Sequence, residues 1–73
     1  QHNVDQEEFR KVLANAIDSL NEQERTVLSL YYYENLSMKE IGKVMHVSEQ
    51  RIGQINRKLL NKLRDKLSQF VKG

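Results

Sequence analysis

The sequence predicts a small all-α domain of four helices whose C-terminal part is a helix-turn-helix with a long last helix. Three observations favour this fold class. The 73 residues include no proline and only three glycines, so little in the chain interrupts a helix. Apolar residues recur with the spacing of amphipathic helices. Polar residues suited to capping precede three of the periodic segments. A chain of this length supports one domain with a thin core.

The first two helices follow from this spacing. The first covers about residues 6–19, and its apolar face consists of Phe9, Val12, Leu13, Ala16, Ile17 and Leu20. Asn21 can cap the second helix, which covers about residues 22–33 and begins with acidic residues that favour a helix start. Because neighbouring aromatic side chains cannot all face one core, we expect only one or two of its three consecutive tyrosines to be half-buried.

The third and fourth helices are defined by their caps. Ser37 and Glu40 form a capping box before a short helix over about residues 38–45. We expect that helix to direct three apolar side chains inward, those of Ile41, Val44 and Met45. Ser48 can cap the fourth helix, which extends to about residue 71. Its apolar stripe consists of Ile52, Ile55, Leu59, Leu63, Leu67 and Val71.

Residues 37–71 have the layout of a helix-turn-helix unit, because only two residues separate the third helix from the Ser48 cap. His46 stands where the chain reverses, so we expect a positive φ, which histidine adopts more readily than most residues. Gly42 is small where the two helices would cross at close range. A plain helical hairpin is the alternative interpretation.

Charge is distributed unevenly along the chain. Residues 1–37 carry seven acidic and three basic residues, giving −4, whereas residues 38–73 carry three acidic and nine basic residues, giving +6. A basic half suggests a surface for a polyanion such as nucleic acid. An ordinary solvated face of lysine and arginine is the alternative.

Composition excludes several other classes. The absence of cysteine rules out a disulfide framework and a thiolate metal site. No apolar run approaches the ~20 residues of a membrane span. His2 and His46 have no partnered nucleophile or metal-ligand set, so we expect no enzyme activity, cofactor or small-molecule substrate. The chain begins with glutamine and not methionine, and we expect it to be a piece of a longer protein.

The face of the fourth helix opposite its apolar stripe is polar. It presents Gln50, Gly53, Gln54, Arg57 and Asn61, with Glu49, Arg51, Lys58 and Lys62 on its flanks. Glutamine can pair with adenine, arginine with guanine, and glutamate can accept from cytosine. Phosphate contacts suit the surrounding cationic and hydroxyl groups, Lys39, Lys43, Ser48, Arg57, Lys58 and Lys62. Gly53 is either a point of close backbone approach to a duplex or an unselected surface glycine.

Residues 20–67, LNEQERTVLSLYYYENLSMKEIGKVMHVSEQRIGQINRKLLNKLRDKL, resemble region 4 of bacterial RNA polymerase sigma factors. The stretch RTVLSLYYYENLSMKEIG, followed by VSEQRIGQI and KLR, is most similar to flagellar (motility) sigma factors of the FliA/WhiG type. The resemblance implies a domain of an alternative sigma factor in the bacterial cytoplasm. Such a domain recognises the −35 element of promoter DNA while the β-flap of RNA polymerase core enzyme docks on it.

The resemblance also implies roles for individual residues. Base reading is expected from Glu49, Gln50, Arg51 and Gln54. Housekeeping sigma factors carry Arg-Glu-Arg at the first three of these positions, so this chain is expected to serve another promoter class. An anti-sigma factor is an expected further partner. The aromatic run and its neighbours either complete the core or form the docking site for the β-flap or anti-sigma factor, a set consisting of Leu30, Tyr31, Tyr32, Tyr33 and Phe70.

Two alternative classes have partly similar layouts. An output domain of the LuxR type shares the LNEQERTVL, SMKEIG and VS pattern, but that family usually continues with Thr-Val-Lys and a histidine where this chain has RIGQINRK. A helical interaction module that binds no DNA is the second alternative. The clustering of positive charge in residues 38–73 disfavours it.

Overall fold

The computed structural model describes residues 6–71, with side chains as far as residue 68. This part of the chain forms four α-helices, α1 (Gln6–Asp18), α2 (Glu22–Leu28), α3 (Met38–Met45) and α4 (Glu49–Val71). A π-helical segment, Ser29–Tyr33, continues directly from α2. The predicted all-α class and the order of the helices are confirmed.

The core lies along α4, which contacts each of the other three helices. The apolar stripe of α4 contributes Ile52, Ile55 and Leu59, all of which are buried. The facing elements complete this cluster with Leu20, Val27 and Ile41. Burial of each of these larger side chains stabilises the fold by about 1.5–3 kcal/mol, so this single layer fixes the position of α4.

Capping boxes begin α2 and α3. The Glu24 N–H donates to Asn21 Oδ1 at 2.8 Å, and the Asn21 N–H donates to Glu24 Oε1 at 3.0 Å. The Glu40 N–H donates to Ser37 Oγ at 3.1 Å, and the Ser37 N–H donates to Glu40 Oε1 at 2.8 Å. This backbone hydrogen bond from Ser37 helps to hold the pKa of Glu40 below its usual value. Both caps were predicted.

The turn between α3 and α4 is tight. His46 has φ 62° and ψ 40°, the left-handed conformation predicted for it. The N–H groups of His46 and Val47 both donate to the Gly42 carbonyl, the latter at 2.9 Å. A Cβ on Gly42 would lie 2.7 Å from the Val47 carbonyl oxygen, so the two helices approach as closely as expected. The Arg51 N–H donates to Ser48 Oγ at 3.0 Å, which confirms the cap of α4.

The second helix differs from its prediction after Leu28. An α-helix was expected as far as residue 33, but the chain widens to the π form over Ser29–Tyr33. The Glu34 N–H closes this segment by donating to the Ser29 carbonyl at 2.9 Å. Asn35 follows with φ 63°, a second left-handed residue that was not predicted. Because a π-helical turn is wider than an α-helical one, the tyrosine side chains do not point in the directions that α-helical spacing predicts.

Two apolar residues expected to face the core lie nearer the surface. Val44 is 57% exposed, because the short helix α3 offers only one stripe to the core and Ile41 and Met45 occupy it. Val44 instead borders a shallow hollow beside the start of α2. Phe9, in the first turn of α1, is 38% exposed, and Ala16 is the one residue of α1 that is fully buried.

Candidate nucleic-acid interface

The first two turns of α4 form one exposed polar edge. The structure brings the four predicted base-reading residues together there, all exposed: Glu49, Gln50, Arg51 and Gln54. Arg51 Nη1 donates to Gln54 Oε1 at 3.4 Å, a long contact that little restrains either group. The Ser48 cap and the close approach at Gly42 fix where this edge begins. A rigidly held helix start is what insertion into a DNA major groove requires.

A shallow groove, the α3–α4 groove, lies along this edge. Its lining consists of Met38, Glu49, Gln50, Gly53, Gln54 and Arg57. Met38 is the contribution of α3, and it is half-buried because it also packs against the core. Sequence reasoning did not assign Met38 to the site. The sequence offered no signal for this role, because the place of Met38 in the groove depends on how α3 crosses α4.

Cationic side chains are exposed on both helices that form the groove, and one of them, Arg57, lines it. Lys39 and Lys43 are exposed on α3, and Arg57 and Lys58 are exposed on α4. Ser48 is exposed as well, with its hydroxyl oxygen occupied in capping. These groups have the charge and exposure that phosphate contacts need.

Lys62 differs from the other predicted phosphate contacts. Its ammonium group donates to Glu24 Oε1 at 2.8 Å and is therefore directed toward α2. Glu24 is only 2% exposed. Burial alone would raise the pKa of Glu24, but hydrogen bonds from Lys62 and Asn21, with the charges of Lys62 and Lys58, outweigh it and hold the pKa below its usual value. Sequence reasoning missed this pair, because 38 positions separate its members.

A second surface, the tyrosine hollow, lies on α1, α2 and the π-helical segment. It is lined by Ile17, Arg25, Leu28, Ser29, Tyr32 and Tyr33. Tyr33 is 82% exposed and Tyr32 is 47% exposed. Tyr31 is half-buried against the core, with its ring 4.8 Å from that of Tyr32 in an edge-to-face arrangement.

The predicted docking set is therefore divided. Tyr32 and Tyr33 lie at the tyrosine hollow, Tyr31 packs inward, and Leu30 borders a separate, more polar hollow. The side chain of Phe70 lies outside the described residues.

Among the residues that the structure describes, no three acidic or histidine side chains are grouped so that they could hold a metal ion. None of the helices described there has both the length and the apolar character needed to cross a membrane.

Comparison with known proteins adds family evidence to this geometry. The family model described as Sigma-70, region 4 matches residues 16–65. RNA polymerase sigma factor FliA of Pseudomonas aeruginosa is 45% identical over 69 residues, which cover 94% of this chain and 28% of that protein. FliA of Salmonella typhimurium is 41% identical over 69 residues, with 94% and 29% covered. RNA polymerase sigma-D factor of Bacillus subtilis is 38% identical over 71 residues, with 97% and 28% covered. The chain thus spans less than a third of the length of these relatives.

Proposed function

The chain belongs to the Sigma-70 region 4 family, and from this membership we propose that it is the promoter-binding domain of a flagellar-type alternative sigma factor. In this role it binds the −35 element in the bacterial cytoplasm while the β-flap of core RNA polymerase docks on it. Relatives named FliA, at 41% to 45% identity over 94% of the chain, support the flagellar class and disfavour a LuxR-type output domain.

The exposed start of α4 is the observation that carries this proposal. Gln50 and Gln54 can each offer an amide to adenine, Arg51 can offer a guanidinium to guanine, and all three are exposed. Glu49, in the first turn, can accept from the amino group of cytosine. The set differs from the Arg-Glu-Arg of housekeeping sigma factors, which supports a separate promoter class.

Phosphate contacts are assigned to exposed groups on α3, on α4 and in the turn between them. These are Lys39, Lys43, Ser48, Arg57 and Lys58. Lys62 is not expected to contact a phosphate, because its ammonium group already pairs with Glu24 inside the domain. Counterion release by these cations predicts binding that weakens steeply as salt rises.

Docking of the β-flap is assigned to the tyrosine hollow. Tyrosines are enriched at protein interfaces, and among the members of the predicted docking set whose side chains are described, Tyr32 and Tyr33 are exposed. Arg25, on the wall of the hollow, offers a positive charge to a partner's carboxylate. An anti-sigma factor that covered the same hollow would compete with the core enzyme.

Transcription from defined promoters tests the proposal. Core RNA polymerase with the full-length parent protein should initiate on flagellar-type promoters and not on housekeeping ones. Arg51→Ala should reduce that activity, whereas Arg64→Ala, an exposed cation about 20 Å further along α4, serves as the matched control. Equal use of the two promoter classes would refute the assignment.

A further inference from the structure

An apolar notch lies within the α3–α4 groove between Gly53 and Met38. A Cβ built on Gly53 would come within 4 Å of one neighbouring group outside its own helix, the Met38 Sδ, at 3.9 Å. Gly53 does not have a positive φ, so the backbone of α4 does not require glycine there. Glycine lowers helix stability, so this position carries an energetic cost that the fold does not explain.

The surroundings of the notch are polar. The groove that contains it is otherwise lined by hydrogen-bonding or charged side chains, those of Glu49, Gln50, Gln54 and Arg57. A target that matched this pattern would present an apolar group among hydrogen-bonding edges. The major groove of DNA does so at one kind of base, since thymine alone carries a C5-methyl group. The Met38 thioether is polarizable and adaptable, which suits it to contact such a group.

We propose that the notch between Gly53 and Met38 receives the C5-methyl group of one thymine in the −35 element. Gly53 and Met38 are then specificity-determining residues beside the hydrogen-bonding readers. This inference rests on the proposed function, because it needs the start of α4 to lie in a major groove. A cytosine at the same position would leave the notch empty.

The notch is open at Gly53, which has no side chain of its own. Met38 Sδ, at 3.9 Å, is the one atom outside α4 within 4 Å of the position that a Cβ on Gly53 would occupy, so no other group outside α4 crowds the approach of a methyl group to this glycine. Burying one methyl group corresponds to about a fourfold gain in affinity. The effect is smaller than that of a bidentate hydrogen bond, and a dedicated measurement is needed to detect it.

Removal of single methyl groups from DNA provides the test. Holoenzyme, assembled from core polymerase and the full-length parent, is titrated with flagellar-type promoter fragments. Each thymine of the −35 element is replaced in turn by deoxyuridine, which lacks only the methyl group. We expect one replacement to weaken binding about fourfold.

Variants link that effect to the notch. Gly53→Leu fills it, and the fourfold difference between thymine and deoxyuridine should then disappear. Met38→Ala removes the thioether, keeps Gly53 and should reduce the same difference. Ser68→Leu is the matched control, because it adds the same side chain to an exposed position about 22 Å along α4 and should leave the difference intact.

The outcomes separate the notch from the proposed function. If the holoenzyme selects the flagellar-type promoter but no replacement of thymine by deoxyuridine weakens binding, the proposed methyl contact at the notch is wrong and the proposed function stands. A methyl effect that persists in both Gly53→Leu and Met38→Ala overturns the notch as well, since the methyl group must then be read elsewhere. Failure to select the promoter at all refutes the proposed function and the notch with it.

Discussion

The ammonium group of Lys62 lies 2.8 Å from Oε1 of Glu24 and joins α4 to the first turn of α2. The same oxygen accepts the Asn21 N–H at 3.0 Å, so one carboxylate both caps α2 and holds α4. Because Glu24 is buried, its charge depends on these two donors in place of water. The pair therefore couples the capping box of α2 to the helix that carries the exposed polar edge.

Lys62→Met is expected to destabilise the domain by about 3 kcal/mol. The change leaves a buried carboxylate without its counterion, and the value is at the low end for broken buried pairs because the Lys62 side chain is 37% exposed. Urea unfolding of the chain measures it. Lys66→Met, the same change at an exposed position of α4, should stay within about 0.5 kcal/mol of the unmodified chain.

A double variant separates loss of attraction from the cost of an unpaired charge. Glu24→Gln combined with Lys62→Met removes both charges and keeps an amide oxygen that can accept the Asn21 N–H. We expect the double variant to be more stable than Lys62→Met alone. If the double variant is as unstable as the two single changes predict by addition, the unpaired carboxylate is not the cause of the loss.

Acid should weaken the domain through Glu24. Its pKa in the folded state is held below the usual value of 4.5, so the folded state binds fewer protons than the unfolded state in this range. The stability that the carboxylate contributes is full above 4.5 and is lost as pH falls through the lowered folded pKa. NMR titration of the Glu24 carboxyl, with urea unfolding across the same pH range, measures both effects.

Glu40 needs a control in that experiment, because its pKa is also lowered. Glu40→Gln removes its titration and retains the side-chain oxygen that accepts the Ser37 N–H. In that background the remaining fall of stability with acid should follow the titration of Glu24. A Glu24 carboxyl that titrated at or above 4.5 would contradict the proposed balance of interactions.

Local signals predicted the helix boundaries, whereas interactions between distant residues were not predictable. The caps at Asn21, Ser37 and Ser48 and the left-handed turn at His46 depend on a few neighbouring residues. The π-helical segment, by contrast, was not predictable, because α-helical periodicity does not distinguish a π-helical turn from an α-helical one. The pairing of Lys62 with Glu24 exists only once α2 and α4 have packed together, so it could not be predicted from neighbouring residues. The sequence therefore suggested phosphate binding for Lys62, because this residue lies in the basic half of the chain.

The two glycines of the helix-turn-helix should respond oppositely to alanine. Gly42→Ala places a Cβ 2.7 Å from the Val47 carbonyl oxygen, so the backbone must move, and we expect a loss of about 1–3 kcal/mol. Gly53→Ala meets only a 3.9 Å contact and should stabilise the domain by up to about 1 kcal/mol. Urea unfolding compares them directly. A neutral Gly42→Ala would show that the turn relaxes more easily than its geometry indicates.

Substitutions of base-reading residues and substitutions of phosphate-contacting residues should affect DNA binding by the holoenzyme in different ways. Arg51→Ala and Gln54→Ala should each relax discrimination at particular base pairs by about 1–3 kcal/mol. Lys58→Ala should weaken all sequences alike and lower the dependence of log affinity on log salt by about one. Affinities for a set of −35 variants at several salt concentrations measure both. A uniform loss from Arg51→Ala would move that residue to the phosphate-contacting group.

Much of the candidate interface was predictable from residue type and spacing, but its apolar element was not. The positions of Glu49 to Gln54 on one exposed edge follow from helical geometry once the Ser48 cap is known. The contribution of Met38 depends on how α3 crosses α4, a tertiary relation that the sequence pattern does not specify. The tyrosine run gave a similar result, because its division between core and surface follows the π-helical turn.

Tyr33→Ala should weaken docking without weakening the fold. The side chain is 82% exposed, so its removal should change the free energy of unfolding by no more than about 0.5 kcal/mol. If the tyrosine hollow receives the β-flap, an exposed tyrosine on its wall should contribute more than about 1 kcal/mol to that contact. Calorimetric titration of the full-length parent with the β-flap domain measures this contribution.

Val44→Ala is the control, because it removes an exposed apolar side chain from a different hollow and should leave β-flap affinity unchanged. Equal losses from the two variants would point to a general effect on the domain, and no loss from Tyr33→Ala would remove the tyrosine hollow as the docking site.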